Sequence, residues 1–200
     1  PWWDYHERFS NPLSKIVGAK PSEVSVMNTL TVNLHMMMVS FYNPTSTRFK
    51  IICEEKAFPS DQYMFQTQVK FHGLDPKDVI VEVKRREGEH NLRNEDIIAK
   101  INEVGDELAL VLIGGINYYT GQVLDMENIT KAGHSVGAKV GWDLAHAAGN
   151  IELKLHEWNV DFACWCSYKY MNAGPGSVAG YFVHEKHHNN KDINRFGGWY

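Results

Sequence analysis

Short apolar runs alternate with longer amphipathic stretches along most of the chain. Nearly continuous apolar runs predict buried strands, and apolar residues spaced three or four positions apart predict helices. The pattern predicts strands at 49–54, 79–84, 108–114, 139–143, 161–166 and 177–184. It predicts helices at about 28–42, 60–72, 94–105 and 126–136, and irregular structure over residues 1–20. This alternation is typical of a three-layer α/β/α fold with a mostly parallel central sheet.

Composition narrows the function classes. The 200 residues fit one domain, and a net charge of −4 without a basic run argues against a nucleic-acid partner. The longest apolar runs fall well short of a membrane span, and the sequence contains no signal peptide pattern. Cys53, Cys164 and Cys166 lie in predicted buried strands and are interpreted as reduced core residues. We therefore expect a cytoplasmic protein without a membrane partner.

Lys169 stands where a predicted buried strand gives way to a loop rich in glycine and proline. Burial disfavours the ammonium form of lysine, so a lysine in this place can act as an amine nucleophile and base. Those properties are needed to form a Schiff base with an aldehyde cofactor. The alternative interpretation is a solvated lysine just beyond a strand.

A second candidate site lies in the segment "GWDLAHAAGN". Asp143 ends a predicted strand, and His146 follows three residues later. Ligands of open α/β sheets bind beyond the carboxyl ends of the strands, so Asp143 is expected to face the same crevice as Lys169. An acid there can pair with the pyridinium nitrogen of pyridoxal 5′-phosphate (PLP). The alternatives are a helix cap for Asp143 and a core histidine for His146.

Two predicted helix starts complete the pattern. Asn28 and Thr29 are favourable N-cap types, and the free amides of a first helical turn suit a phosphate, with the Thr31 hydroxyl as an added donor. In "AFPSDQY", Ser60 is a plausible cap. There Phe58 could cover a flat ring and Asp61 could lie near its nitrogen. The alternative at the second start is a hydrophobic staple with a capping carboxylate.

The chain resembles the kynureninases, which are fold-type I PLP enzymes of the aspartate aminotransferase superfamily. The resemblance runs over nearly the whole chain and rests on "LTVNLH", "KAFPSDQY", "REGE", "YYTGQ", "DLAHAAGN", "DFACWCSYKYMNAGPG" and "HEK". It implies hydrolysis of L-kynurenine or 3-hydroxy-L-kynurenine to an anthranilate and L-alanine, in a homodimer. It also implies that residues 1–200 are a single PLP-binding large domain, with an N-terminal segment and a C-terminal small domain outside this sequence.

The resemblance implies a role for each matching residue. Lys169 carries the cofactor, Asp143 pairs with the pyridine nitrogen with Asp61 nearby, and Tyr168 reaches the phosphate and relays a proton. The remaining cofactor contacts are expected from Leu30, Thr31, Phe58, Pro59, Ser60, His146 and Trp199. Gly114 departs from the family pattern, because a hydroxyl residue often contacts the cofactor there. Pro175 also departs from it, in the loop after the lysine.

Two alternatives remain open. One is another fold-type I PLP enzyme, such as a cysteine desulfurase or β-lyase, since a strand-end aspartate with a downstream lysine fits those enzymes too. The other is a non-catalytic fragment that binds PLP weakly. The histidines of "HEKHHNN" (His184, His187 and His188) raise a third question, that of a metal site. No second ligand set lies nearby in sequence, so we predict a solvated loop and no metal.

Overall fold

The computed structural model describes residues 2–197. Its α-helices are α1 (Glu7–Val17), α2 (Leu30–Phe41), α3 (Pro59–Phe71), α4 (Pro76–Val79), α5 (Asn94–Val104) and α6 (Met126–Ser135). Its strands are β1 (Val24–Val26), β2 (Lys50–Glu54), β3 (Ile80–Val83), β4 (Leu108–Gly114), β5 (Lys139–Asp143), β6 (Phe162–Trp165) and β7 (Gly180–Val183). Short 3-10 turns cover Pro21–Glu23, Gly105–Glu107 and Glu185–His187.

The strands form one seven-stranded sheet in the order β1-β7-β6-β5-β4-β2-β3. The pairs from β3 through β2, β4 and β5 to β6 are parallel, while β7 pairs antiparallel with both β6 and β1. The prediction of a mostly parallel sheet is confirmed. Parallel pairing brings the carboxyl ends of β2, β4, β5 and β6 to the same edge of the sheet.

The sheet is covered on both faces, as the near-continuous apolar strands predict. In β4, Leu110 and Leu112 belong to a buried cluster with residues of α2 and α3. Val111 and Ile113 belong to a second cluster with residues of α1, α5 and α6. Successive side chains of a strand point to opposite faces, so one strand contributes to both clusters. The three-layer α/β/α arrangement is thus confirmed.

The N-terminal segment departs from the prediction. Residues 1–20 were expected to be irregular, yet α1 runs from Glu7 to Val17 with Pro12 inside it. A proline removes one helical hydrogen bond, yet the helix forms, buries Ser14 and Val17, and contributes Val17 to the larger hydrophobic cluster. Gly18 ends α1 at φ 63°, and a Cβ there would lie 2.0 Å from the Leu153 carbonyl oxygen. Only glycine fits both the left-handed conformation and the close contact.

Two further elements escaped the sequence pattern. The helix α4 and the three-residue strand β1 are too short to show a period. No helix within residues 2–197 has the length and apolar character that crossing a membrane requires.

Candidate active site

A cavity of about 380 Å³ lies beyond the carboxyl ends of the parallel strands. Most of the residues predicted to contact a cofactor line it, namely Leu30, Thr31, Phe58, Ser60, Asp61, Gly114, Asp143, His146, Tyr168 and Lys169. Pro59 is not among the lining residues, and it begins α3 beside the cavity. Trp199 lies outside the described residues. The topology of the sheet therefore gathers residues that are up to 139 positions apart in sequence, from Leu30 to Lys169.

Lys169 follows β6 after a turn and is partly buried. Its Nζ lies 3.1 Å from Nε2 of His146. The same nitrogen lies 5.6 Å from the ring centroid of Phe58 and 5.9 Å from that of Tyr168. The amine is thus held between an imidazole and two aromatic faces, inside the cavity.

Asp143 is the last residue of β5 and is 8% exposed. It lies opposite Gly114 of β4 and Cys164 of β6 in the sheet. Its Oδ1 accepts a 2.7 Å hydrogen bond from the amide of Ala145, which fixes the carboxylate at the strand end. The prediction that Asp143 and Lys169 share a crevice is therefore supported by the geometry.

Two more acids lie beside Asp143. Burial, reinforced by the charge of Asp143 and a side-chain hydrogen bond to it, raises the pKa of Asp61 far above its ordinary range. Burial also raises the pKa of Glu54 to about 7, with a further contribution from Asp143. Two of the three acids therefore retain protons more readily than ordinary carboxyl groups do. Such an acidic group suits a cationic ligand atom that can share a proton.

The N-terminus of α2 opens on the other side of the cavity. Thr29 is the N-cap, and its side chain accepts a long hydrogen bond of 3.5 Å from the Val32 amide. The amides of Leu30 and Thr31 belong to the first helical turn, where no intrahelical acceptor exists. Leu30 and Thr31 line the cavity, and the free amides of a first helical turn suit an anion.

The start of α3 differs in detail from the prediction. Phe58 occupies the N-cap position without a side-chain cap, and Pro59 takes the first helical position. The prediction of Ser60 as the cap is wrong, because Pro59 needs no amide partner and the helix begins one residue earlier. The Ser60 hydroxyl instead lies 3.5 Å from Oδ1 of Asp61. Phe58 is 43% exposed and makes an edge-to-face contact with Tyr118.

Tyr168 lies at the rim of the cavity, with 51% of its surface exposed. Partial burial raises the pKa of its phenol, with smaller contributions from Cys166 and Asp143. The phenol therefore keeps its proton at neutral pH. A protonated hydroxyl at the rim can donate to a phosphate or to a carbanion.

Sequence reasoning missed several cavity residues, among them Glu54, Tyr118 and Cys166. Glu54 ends β2 as Asp143 ends β5, so the rule that strand ends carry site residues could have found it. Tyr118 lies in the "YYTGQ" segment beyond β4, at the same edge. Cys166 follows β6 directly and precedes the lysine loop.

Of the three histidines predicted to lie in a solvated loop, His188 is exposed, but His184 and His187 are buried. His184 and His187 are 8% and 5% exposed. His187 lies 2.7 Å from Oδ1 of Asp161, and His184 lies beside Glu23 and His156. The ligand-type atoms of that last trio lie within 4.8 Å of one another. Glu23 already accepts a 2.9 Å hydrogen bond from His156 and two from backbone amides, so the trio forms a satisfied network that joins chain segments.

Comparison with known proteins identifies the family of the chain. The sequence matches the family described as aminotransferase class-V over residues 6–198. It is 76% identical over 200 residues to a kynureninase of Flavobacterium johnsoniae, and it spans 47% of that relative. It is 59% identical to a kynureninase of Nematostella vectensis, of which it spans 43%. The chain thus spans about half the length of the curated relatives it matches.

Solved structures agree on the fold. The cystine C–S lyase C-DES, as a mutant with glycine covalently linked to its PLP cofactor, superposes with a TM-score of 0.80 at 18% identity. The match covers 96% of this chain and 49% of that structure. The apo cysteine desulfurase of Thermococcus onnurineus NA1 gives a TM-score of 0.75 at 20% identity over 90% of this chain and 43% of its own.

Proposed function

Because the chain belongs to the class-V aminotransferase family, we propose that its cavity binds PLP and that the protein hydrolyses L-kynurenine or 3-hydroxy-L-kynurenine. One observation carries the proposal, namely that the Lys169 amine shares a cavity with Asp61, Asp143 and the N-terminus of α2. High identity to curated kynureninases along the whole chain supports the substrate class.

The residues of the cavity fit the cofactor by their chemistry. Lys169 offers an amine for an aldehyde, and Asp143 offers an acceptor for a ring nitrogen. The α2 N-terminus suits a phosphate, and the Phe58 ring suits a flat aromatic ligand. These four features match the aldehyde, the ring nitrogen, the phosphate and the flat ring of PLP.

The proposed reaction consumes one water. Water adds to the side-chain ketone of kynurenine, the Cβ–Cγ bond breaks, and the products are an anthranilate and L-alanine. When bound, PLP supplies an electrophilic carbon for the substrate amine and a ring that stores negative charge.

Each residue of the cavity then has a role in moving a proton or in holding the cofactor. Lys169 Nζ moves the proton of the substrate Cα, acting as general base and acid. Asp143 holds a proton at the ring nitrogen, with Asp61 beside it. The Tyr168 hydroxyl gives a proton to the alanyl carbon after bond cleavage. The amides of Leu30 and Thr31 hold the phosphate, while Phe58 orients the ring.

A cysteine desulfurase is the alternative within the same family. A desulfurase needs a reactive thiol that can reach the substrate. Cys53, Cys164 and Cys166 are all buried free cysteines. Burial raises the pKa of all three thiols, most strongly for Cys53 and Cys164. Low thiolate content disfavours sulfur transfer and supports the hydrolase.

The two activities are separated by their products. The full-length protein that carries this chain, loaded with PLP, is mixed with L-kynurenine and anthranilate fluorescence is followed. A parallel reaction with L-cysteine is assayed for sulfide. Anthranilate without sulfide supports the proposal, and sulfide without anthranilate contradicts it.

We also propose that the protein is cytoplasmic and forms a homodimer. Buried reduced cysteines support the first proposal. The second follows from the resemblance to the kynureninases, and sedimentation of the full-length protein tests it.

A further inference from the structure

Glu54 is a buried acid of the cavity that has no role in the mechanism above. It ends β2, lines the cavity, and is 5% exposed. The Gly114 amide lies 3.3 and 3.4 Å from its two carboxylate oxygens, and the backbone amide of Glu54 itself also contributes a hydrogen bond. Long bonds from backbone amides leave part of the acceptor capacity of a carboxylate unused.

Gly114 and Glu54 are matched in shape. A Cβ atom on Gly114 would lie 3.1 Å from Oε1 of Glu54, closer than most real Cβ contacts. A side chain at position 114 would therefore require the carboxyl group to shift by a few tenths of an ångström. The glycine of β4 leaves the space that the acid of β2 fills.

Two other acids face Glu54 from neighbouring elements, Asp61 from the start of α3 and Asp143 from the end of β5. The cation in the same cavity, Lys169, directs its Nζ toward His146. Burial raises the pKa of Glu54 to about 7, so near neutral pH the group exists in both protonation states. A small change in nearby charge is then enough to change its proton occupancy.

We propose that Glu54 is a positioning residue of the cofactor site, which releases a proton when a pyridinium ring binds beside the Asp61–Asp143 pair. This inference rests on the proposed function, because the cation is the protonated ring nitrogen of PLP. A cation near these acids favours their ionised forms. The carboxyl O–H bond of Glu54 breaks, the proton passes to buffer, and the carboxylate offsets the added positive charge.

Isothermal titration with PLP, in buffers of different ionisation enthalpy, counts the protons released on binding. At pH 7 we expect Glu54→Gln to release fewer protons than the wild type, by up to roughly half a proton, since a group with a pKa near 7 is half protonated there. Glu55→Gln is the matched control. Glu55 is the next residue, lies 3.5 Å from Arg85, and does not line the cavity. It should leave the proton count unchanged.

Gly114→Ala provides an independent variant, because its Cβ shifts the carboxyl group slightly without removing it. It should also change the proton count, and it replaces Glu54→Gln if circular dichroism shows that variant to be unfolded. A count equal to the wild type in the folded variant overturns the role of Glu54 and leaves the proposed function standing. Failure of wild-type protein to bind PLP overturns both.

Discussion

Nζ of Lys169 lies 3.1 Å from Nε2 of His146. If Lys169 donates, Nε2 of His146 accepts, and the bond then requires a neutral histidine. Burial and the positive charge of Lys169 both lower the pKa of His146, with a smaller opposing effect from Asp143. The imidazole therefore stays neutral to a pH below the ordinary value of about 6.5. His146 holds the reactive amine in the cavity.

His146→Leu should slow the covalent attachment of PLP to Lys169 by roughly tenfold, the effect of one lost hydrogen bond to a charged group. Stopped-flow absorbance measures that rate. His146→Gln keeps an acceptor and should retain most of it, and His90→Leu, on the surface, is the control. An unchanged rate in His146→Leu would show that another group positions the amine.

Ligands of open α/β sheets bind beyond the carboxyl ends of the strands, and this rule determines how much of the site the sequence could predict. Asp143 and Lys169 follow apolar runs, so their common crevice was predictable without coordinates. Glu54 obeys the same rule, since it ends β2, and that rule could have found it. The partner of Glu54 is Gly114, sixty residues away, and no local pattern predicts that contact.

The fold shows the same division between local and distant information. The spacing of apolar residues and the length of apolar runs predicted most of the strands and helices, because both can be read within a few consecutive residues. Helix α1 contains Pro12, and its buried residue Val17 packs in a cluster with distant segments. The local sequence therefore predicted irregular structure where a helix forms. His184 and His187 looked like a polar loop because Glu23 and Asp161, their partners, are far away in sequence.

Asp143→Asn should leave PLP able to attach to Lys169 but remove most turnover of kynurenine. A neutral amide cannot hold the ring nitrogen in its protonated form, so the ring stores less negative charge. Absorbance reports attachment and anthranilate fluorescence reports turnover, both in the full-length protein. Near-normal turnover by this variant would refute the role of Asp143.

Thr31→Ala should weaken PLP binding by roughly 1–2 kcal/mol, the scale of one hydrogen bond to a charged group. The measurement is the dissociation constant from fluorescence titration. Thr67→Ala serves as the control, because Thr67 is exposed in the middle of α3. Equal affinity in Thr31→Ala and the wild type would mean that the phosphate is held elsewhere.

Asp161→Asn should destabilise the fold by roughly 3–5 kcal/mol, since it removes one partner from a buried charge network. Burial would raise the pKa of Asp161, but hydrogen bonds from His134 and His187 and the charge of Lys186 hold it well below its ordinary range. The contribution is therefore fully present above about pH 3.9 and is lost as the pH falls toward the lower folded value.

Urea unfolding measures this difference, with Asp192→Asn, an exposed position, as control. The gap between wild type and Asp161→Asn should narrow as the pH falls below about 4. A gap that is small at neutral pH would mean that the network adds little to stability.

Peptide mapping after borohydride reduction tests the central claim most directly. The protein is loaded with PLP, reduced, digested and analysed by mass spectrometry, so that the modified lysine is identified. The account predicts the label on Lys169, and predicts its loss in Lys169→Arg, because a guanidinium does not form the covalent bond. A label on a different lysine, or an undiminished label in Lys169→Arg, would contradict the assignment of this cavity as the cofactor site.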